Sequence, residues 1–551
     1  MIEEFKNKKI KVSINPNEQV IVKYGTKVKE ILDLLDLDDN SVLAVKVNNS
    51  IRNLDYELCE NSKVSLITKD DSDGYRIYIR TVKFLLYMAL KRLYPTLDIE
   101  VCNIIDESIY FICKNQEFTN DMAAELLKEM RTIVKNNSKF ERKVVQFEEA
   151  KNLFETTKNE DALNTLTIRI SPYITLYISE DMYGMTDGVL APSAGRVDNF
   201  NIKKFRKGFA LIVPKYEKEN KLIDNPIYGV FEEKTEFNDI IKVRNVTELN
   251  KMVIDGSIKE IIRVSEAEHN RKFAEIIMDI EKKGKKKIVL IAGPSSSGKT
   301  TFAKRLCNNL KLIGYNPKMI SMDNYFKERV DTPLQENGEY DFETIDAVDM
   351  KLFDKDMKKL FEGKKIEVPE FNFVIGKKEF NGNYLKLEEN DILVLEGIHT
   401  LNPDLLKYID DKLKYKIYIA PMTTLNIDEF SKVSTTDTRM LRRILRDFNN
   451  RGNDVEKTLG MWSNLMRGEK NYIYPYVKYA DFIFNSSYAY EIGALKTFVE
   501  PLLLKIDTSS KYYSEARRLY IFIQKFLPIE TTEIPANSII REFIGNSSFK
   551  R

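Results

Sequence analysis

The residues richest in chemical information are Gly293-Pro294-Ser295-Ser296-Ser297-Gly298-Lys299-Thr300-Thr301, which read G-x-x-x-x-G-K-T. Gly293 and Gly298 lack a Cβ, so the chain can turn sharply there and bring backbone N–H groups against an anion. The preceding run Ile288-Val289-Leu290-Ile291-Ala292 has strand length, and Phe302, Leu306 and Leu310 recur at helical spacing. A strand feeding a glycine loop that opens a helix aims the helix N-terminus at the same anion. In that setting the loop cradles phosphates, Lys299 reaches the β/γ-phosphates, and the Thr300 hydroxyl is placed for Mg²⁺. The pattern predicts a nucleotide site.

Three further stretches supply charge. Lys318-Met319-Ile320-Ser321-Met322-Asp323 reads as a strand with Asp323 at its carboxyl end, where ligands sit in open α/β sheets. Asp391-Ile392-Leu393-Val394-Leu395-Glu396 reads as a buried parallel strand ending in an acid. An unpaired carboxylate there would be costly, which points to Glu396 as a Mg²⁺ ligand, direct or through water. Arg439, Arg442, Arg443 and Arg446 fall three or four residues apart, on one helical face. They repel each other unless an anion lies between them. That anion is either a phosphate-bearing nucleotide or the neighbouring carboxylates of Asp437 and Asp447.

These stretches, in this order, resemble the uridine kinase/phosphoribulokinase family. Asp323-Asn324-Tyr325-Phe326 is similar to its D-x-F-Y segment, Val394-Leu395-Glu396-Gly397-Ile398 to V-x-L-E-G-I, and residues 439–452 to its arginine-rich lid. The resemblance implies ATP and Mg²⁺ as cofactors and Asp323 as general base toward an acceptor hydroxyl, also near the metal with Thr300 and Glu396. It implies Arg439 and Arg443 as stabilisers of transferring charge, and Tyr325, Arg446 and Arg451 as substrate contacts. Residues 339–349 resemble F-D-H-P-D-A-F-D with extra residues inserted, which makes Asp341 the expected holder of acceptor hydroxyls and Asp346 the second choice. Val368-Pro369-Glu370-Phe371-Asn372-Phe373-Val374-Ile375-Gly376 resembles P-x-Y-D-F-x-x-H, in which tyrosine and histidine face a pyrimidine. Here Phe371 can still stack on a ring, but Gly376 offers no side chain, which weakens pyrimidine recognition.

The elements that must position this chemistry belong to a larger chain. Its 551 residues allow about three domains. With 43% hydrophobic and 31% charged residues and a net charge of +2, it reads as globular, without polybasic character. Four scattered cysteines (Cys59, Cys102, Cys113, Cys307) argue against a zinc site, and a charged start with no apolar span makes a cytoplasmic, non-membrane protein the expectation. Residues 1–70 read as a β-sheet grasping one helix and resemble a TGS domain, with Val47-Asn48-Asn49 at that family's V-N-G. Residues 71–225 resemble the second, editing-type domain of threonyl- and alanyl-tRNA synthetases through Ile79-Arg80-Thr81-Val82-Lys83-Phe84-Leu85-Leu86 and Gly188-Val189-Leu190-Ala191-Pro192-Ser193-Ala194-Gly195. The metal positions of that family fall on Arg80, Phe84, Thr186 and Leu190, which cannot bind zinc.

The expected architecture is therefore an α/β multidomain chain. A β-grasp unit (1–70) and an α+β synthetase-like unit (71–225) precede a connecting segment with a helix (226–284) and a P-loop kinase unit with a helix-flanked parallel sheet (285–551). The expected activity is ATP-dependent phosphorylation of a hydroxyl acceptor, a nucleoside ahead of a sugar phosphate. The alternative is an RNA- or ribosome-binding regulator with an ATP-sensing P-loop, which would use residues 1–225 for contact. A homo-oligomer is compatible with either reading.

Overall fold

The computed structural model describes every residue except 1–7, 15–17, 106, 168–170, 181, 187, 217–224, 336–337, 339, 429 and 550–551. The charged start and Glu339 therefore lie outside the described residues. The first unit is a mixed sheet of β1 (Lys9–Ile14), β2 (Glu18–Lys23), β3 (Val42–Val47), β4 (Ser50–Arg52) and β5 (Ser62–Thr68), ordered β2-β1-β5-β3-β4. Its helix α1 (Val28–Leu34) turns Val28, Ile31 and Leu32 into the sheet. Thr26 does not cap α1; its hydroxyl donates to the Lys23 carbonyl. The β3–β4 turn takes positive φ at Asn48 (47°) and Asn49 (63°), a conformation that Asn tolerates.

The second unit opens with α2 (Ser72–Leu93). It continues through β6 (Ile99–Ile105), β7 (Ser108–Cys113), α3 (Asn120–Lys135), β8 (Glu141–Gln146), β9 (Tyr173–Ser179), β10 (Met182–Gly184), β11 (Asn201–Phe205) and β12 (Gly208–Ile212). One sheet runs β11-β12-β7-β6 and the other β8-β9-β10. The fold brings the two synthetase-like stretches together. Arg80 donates to the Val189 carbonyl at 2.8 Å, and its guanidinium fills the space beside Gly188. Phe84 and Leu190 are buried, and the Thr186 hydroxyl donates to the Gly188 carbonyl. A guanidinium and hydrocarbon thus occupy the positions that zinc ligands would need.

Residues 226–284 carry three helices, α4 (Ile227–Ile240), α5 (Val246–Asp255) and α6 (Ile258–Lys282). Val246, Leu249, Ile262, Phe273, Ile276 and Ile280 share one core with the next sheet, so α5 and α6 pack as part of the last unit. That sheet is wholly parallel: β13 (Ile288–Ala292), β14 (Asn316–Ser321), β15 (Asp391–Glu396), β16 (Lys414–Ala420) and β17 (Phe482–Asn485), ordered β14-β15-β13-β16-β17. Val289 and Ile291 face α6, α7 (Lys299–Leu312) and α9 (Thr435–Asn450), whereas Ile288 and Leu290 face α8 (Met350–Phe361). Burial on both faces explains why these strands read as unbroken apolar runs. Later helices of this unit include α10 (Trp462–Tyr472), α11 (Glu491–Leu504), α12 (Tyr513–Ile523) and the single turn α13 (Arg541–Ile544). The second and third units share buried contacts, among them Lys432 Nζ donating to the Cys102 carbonyl at 2.6 Å.

Candidate active site

β13 ends at Ala292 and the loop follows at once. A Cβ on Gly293 would overlap the Ile419 carbonyl, so the loop can pass β16 only with glycine there. Ser296 (φ 61°) and Gly298 (φ 88°) take left-handed backbone, curling the loop toward the N-terminus of α7. Lys299 Nζ bends over this loop and donates to the carbonyls of Gly293 (2.9 Å) and Pro294 (3.2 Å). Burial pulls the Lys299 pKa down, and the charges of Glu396 and Asp323 oppose that shift. Thr300 Oγ1 donates to Glu396 Oε1 at 3.3 Å, across from α7 to the end of β15.

Glu396 is buried at 3% exposure, and its pKa is pushed up to about 7, first by burial and then by the Asp323 charge. Asp323 lies at the carboxyl end of β14, in the short turn Met322–Tyr325. Lys299, Thr300, Glu396 and Asp323 thus meet at one crevice, as the strand ends require. A hydroxyl and two carboxylates are hard oxygen donors, and a carboxyl whose ionisation is held back by burial and by a neighbouring carboxylate suits a divalent cation.

The lid arginines divide into two sets. Arg439 and Arg442, at 1% and 0% exposure, are fully engaged by protein. Arg439 forms a bidentate pair with Glu469 and donates to the Ser295 carbonyl. Arg442 pairs with Glu491 and reaches the carbonyls of Ser296 and Ser297. The expected role of Arg439 in stabilising transferring charge is therefore corrected: its anion is Glu469, and it braces the loop. Arg443, Arg446 and Arg451 share the single carboxylate of Asp447, at 3.2, 2.9 and 3.9 Å. Asp437 pairs with Arg518 instead. Arg443 and Arg446 also donate to Ser295 Oγ at 2.8 and 3.4 Å. Burial first, and the Arg446 charge second, lower the Arg451 pKa to about 9, while Asp447 opposes the shift. Trp462 packs against Arg439 as part of the lid.

The acceptor side departs from expectation at two residues. Tyr325 is fully buried, with its hydroxyl donating to Asp356 at 3.3 Å, so it belongs to the core and not to a substrate surface. Asp341 lies 3.7 Å from Arg467, whereas Glu343 packs beside Gly468 within electrostatic reach of Arg443, Lys299 and Asp323. Burial pushes the Glu343 pKa up to about 7, while Arg443 and Lys299 oppose and Asp323 adds to the rise. The signal was available, because starting the F-D-H-P-D-A-F-D alignment at Phe342 puts Glu343 at its first acid with no insertion. Asp346 is exposed. His399 is buried and neutral, its pKa lowered to about 4 by burial, and its ring packs near Tyr472. Phe371 makes edge contacts with Phe326 (5.8 Å) and Phe373 (5.1 Å), and the Arg451 guanidinium lies 4.3 Å from the Phe373 ring centre. Arg329 fills the space beside Gly376.

Residues 288–492 match the model of the Phosphoribulokinase / Uridine kinase family. The uridine kinase of Staphylococcus haemolyticus is 28% identical over 222 residues, covering 40% of this chain and 95% of that protein. The uridine kinase of Macrococcus caseolyticus is 29% identical over 219 residues, covering 39% and 97%. The threonine–tRNA ligase of Clostridium kluyveri is 28% identical over 240 residues in the N-terminal region, covering 42% of this chain and 37% of the ligase. Among the described residues no helix is long and apolar enough to cross a membrane. Residues 288–492 thus match the Phosphoribulokinase / Uridine kinase family model, behind a region similar to threonine–tRNA ligases.

Proposed function

We propose that the chain transfers the γ-phosphate of ATP to a hydroxyl of a nucleoside. The observation that carries this reading is the meeting of Lys299, Thr300, Glu396 and Asp323 in one crevice beneath the arginines on Asp447. The backbone N–H groups of the 293–301 loop, which Pro294 lacks, hold the phosphates together with Lys299. Thr300 and Glu396, with Asp323 nearby, would hold Mg²⁺, which when bound neutralises charge on the transferring group. Asp323 aligns the acceptor hydroxyl and takes its proton, a task worth roughly 10²–10⁴-fold. Glu343 holds a neighbouring hydroxyl. Arg443, Arg446 and Arg451 oppose the negative charge that develops during transfer. Phe373, half-buried, offers aromatic surface to a base, with the buried Phe371 packed behind it, and the similarity to uridine kinases favours a nucleoside.

An anionic acceptor such as a sugar phosphate is the second reading, favoured by Arg329 beside Gly376 where the resembled family presents histidine. Measuring ADP release with nucleosides and with sugar phosphates separates the two. Turnover with sugar phosphates and none with any nucleoside would reject the first. Similarity to threonine–tRNA ligases is the support for RNA or ribosome contact through residues 1–225, which tRNA filter binding to the full chain tests.

A further inference from the structure

The phosphate-binding end of α7 already holds an anion supplied by the chain itself. Thr301 donates through both its backbone N–H (3.2 Å) and its Oγ1 (2.8 Å) to Glu542 Oε2. These are groups at the P-loop helix N-terminus, which in this motif serve nucleotide phosphates. The Glu542 charge also acts on Lys299 and Glu396, so it lies within the electrostatic reach of the crevice. A neighbouring residue closes the same loop sterically: a Cβ on Gly298 would overlap the Ile539 methyl group. The segment is held by Ile534, Ile540, Phe543 and Ile544, all buried in the core of the last unit. Arg442, which grips the Ser296 and Ser297 carbonyls, lies 5.0 Å from the Phe543 ring centre. Loop, lid helix and C-terminal segment are therefore one packed assembly.

We infer that residues 539–542 form an intramolecular inhibitor, with the Glu542 carboxylate standing where a nucleotide phosphate oxygen is bound. Nucleotide and Glu542 cannot both accept from Thr301 Oγ1–H and its N–H in the same geometry. ATP therefore binds only the fraction of molecules in which Glu542 has moved off the helix, and apparent affinity falls by that fraction. A ligand or partner that draws the segment away would activate the enzyme. The inference rests on the nucleotide reading of the P-loop.

The test is titration of a fluorescent ATP analogue into the full chain as wild type, Glu542→Gln, Ile539→Ala and Lys299→Ala, with thermal melting to verify folding. Glu542→Gln keeps the side chain's size and removes its charge. The expected result is tighter binding by Glu542→Gln and Ile539→Ala, within the roughly 5- to 150-fold range of coupled equilibria, and weaker binding by Lys299→Ala. Folded Glu542→Gln and Ile539→Ala proteins that bind no more tightly than wild type, while Lys299→Ala still weakens binding, would overturn the inhibitor and leave the nucleotide site standing. Wild type and Lys299→Ala failing alike to bind would remove the nucleotide reading and the inhibitor with it.

Discussion

Arg439 and Glu469 form a fully buried ion pair, with Nη1 donating to Oε2 at 2.7 Å and side-chain exposures of 2% and 0%. Four residues later, Arg443 shares its carboxylate with two other guanidinium groups. Two arginines of one helical face therefore do different work. Removing one partner of a buried pair leaves an uncompensated charge and costs about 3–5 kcal/mol. Arg439→Leu is expected to lower the melting temperature sharply, and Arg439→Leu with Glu469→Leu to recover part of the loss. Arg443→Ala is expected to melt near wild type yet lose about 10²–10³-fold in kcat. Melting curves beside initial rates check both.

Three guanidinium groups share the one Asp447 carboxylate, and burial, with the Arg446 charge beside it, lowers the Arg451 pKa to about 9. An added anion should therefore stabilise the protein. Inorganic phosphate or ATP is expected to raise the melting temperature of wild type, by mass action on the folded state. Arg451→Met should show a smaller rise, while its anion-free melting temperature holds or increases. An equal response in both proteins would place the anion elsewhere.

Glu343 has a folded-state pKa of about 7, raised by burial above the ordinary carboxylate value. The folded protein then binds this proton more tightly than the unfolded chain does. Its contribution to stability is present at low pH and is lost as pH rises through about 7. Glu343→Gln is expected to flatten that part of the curve of melting temperature against pH, from about 4.5 to 7. It should also raise KM for the acceptor more than KM for ATP. Parallel pH curves for variant and wild type would contradict the shift.

Much of the nucleotide side was legible because its signals are local. The runs Ile288–Ala292 and Asp391–Glu396 are continuous apolar strands, and each delivers its functional residues at or just beyond its end. The arginine partners were not legible, since Glu469 and Glu491 lie 30 and 49 residues from the guanidinium groups they neutralise. Spacing shows that four arginines share a face, but only packing shows which anion each meets. Tyr325 reads as a site residue by position in the motif, and the turn Met322–Tyr325 rotates it into the core. The C-terminal segment packs on the kinase unit through Ile534, Ile539, Ile540, Phe543 and Ile544. Its contact with Thr301, 241 residues away, leaves no trace in local sequence.

The central claim is that Asp323 accepts a proton from an alcohol beside a P-loop-bound triphosphate. Its most direct measurement is transfer of label from ATP radiolabelled at the γ-phosphate to nucleosides, by wild type and by Asp323→Asn. The account predicts a labelled nucleoside monophosphate from wild type. It predicts a rate roughly 10²–10⁴-fold lower for Asp323→Asn, with nucleotide affinity held within about threefold. Equal transfer by the two proteins would contradict it.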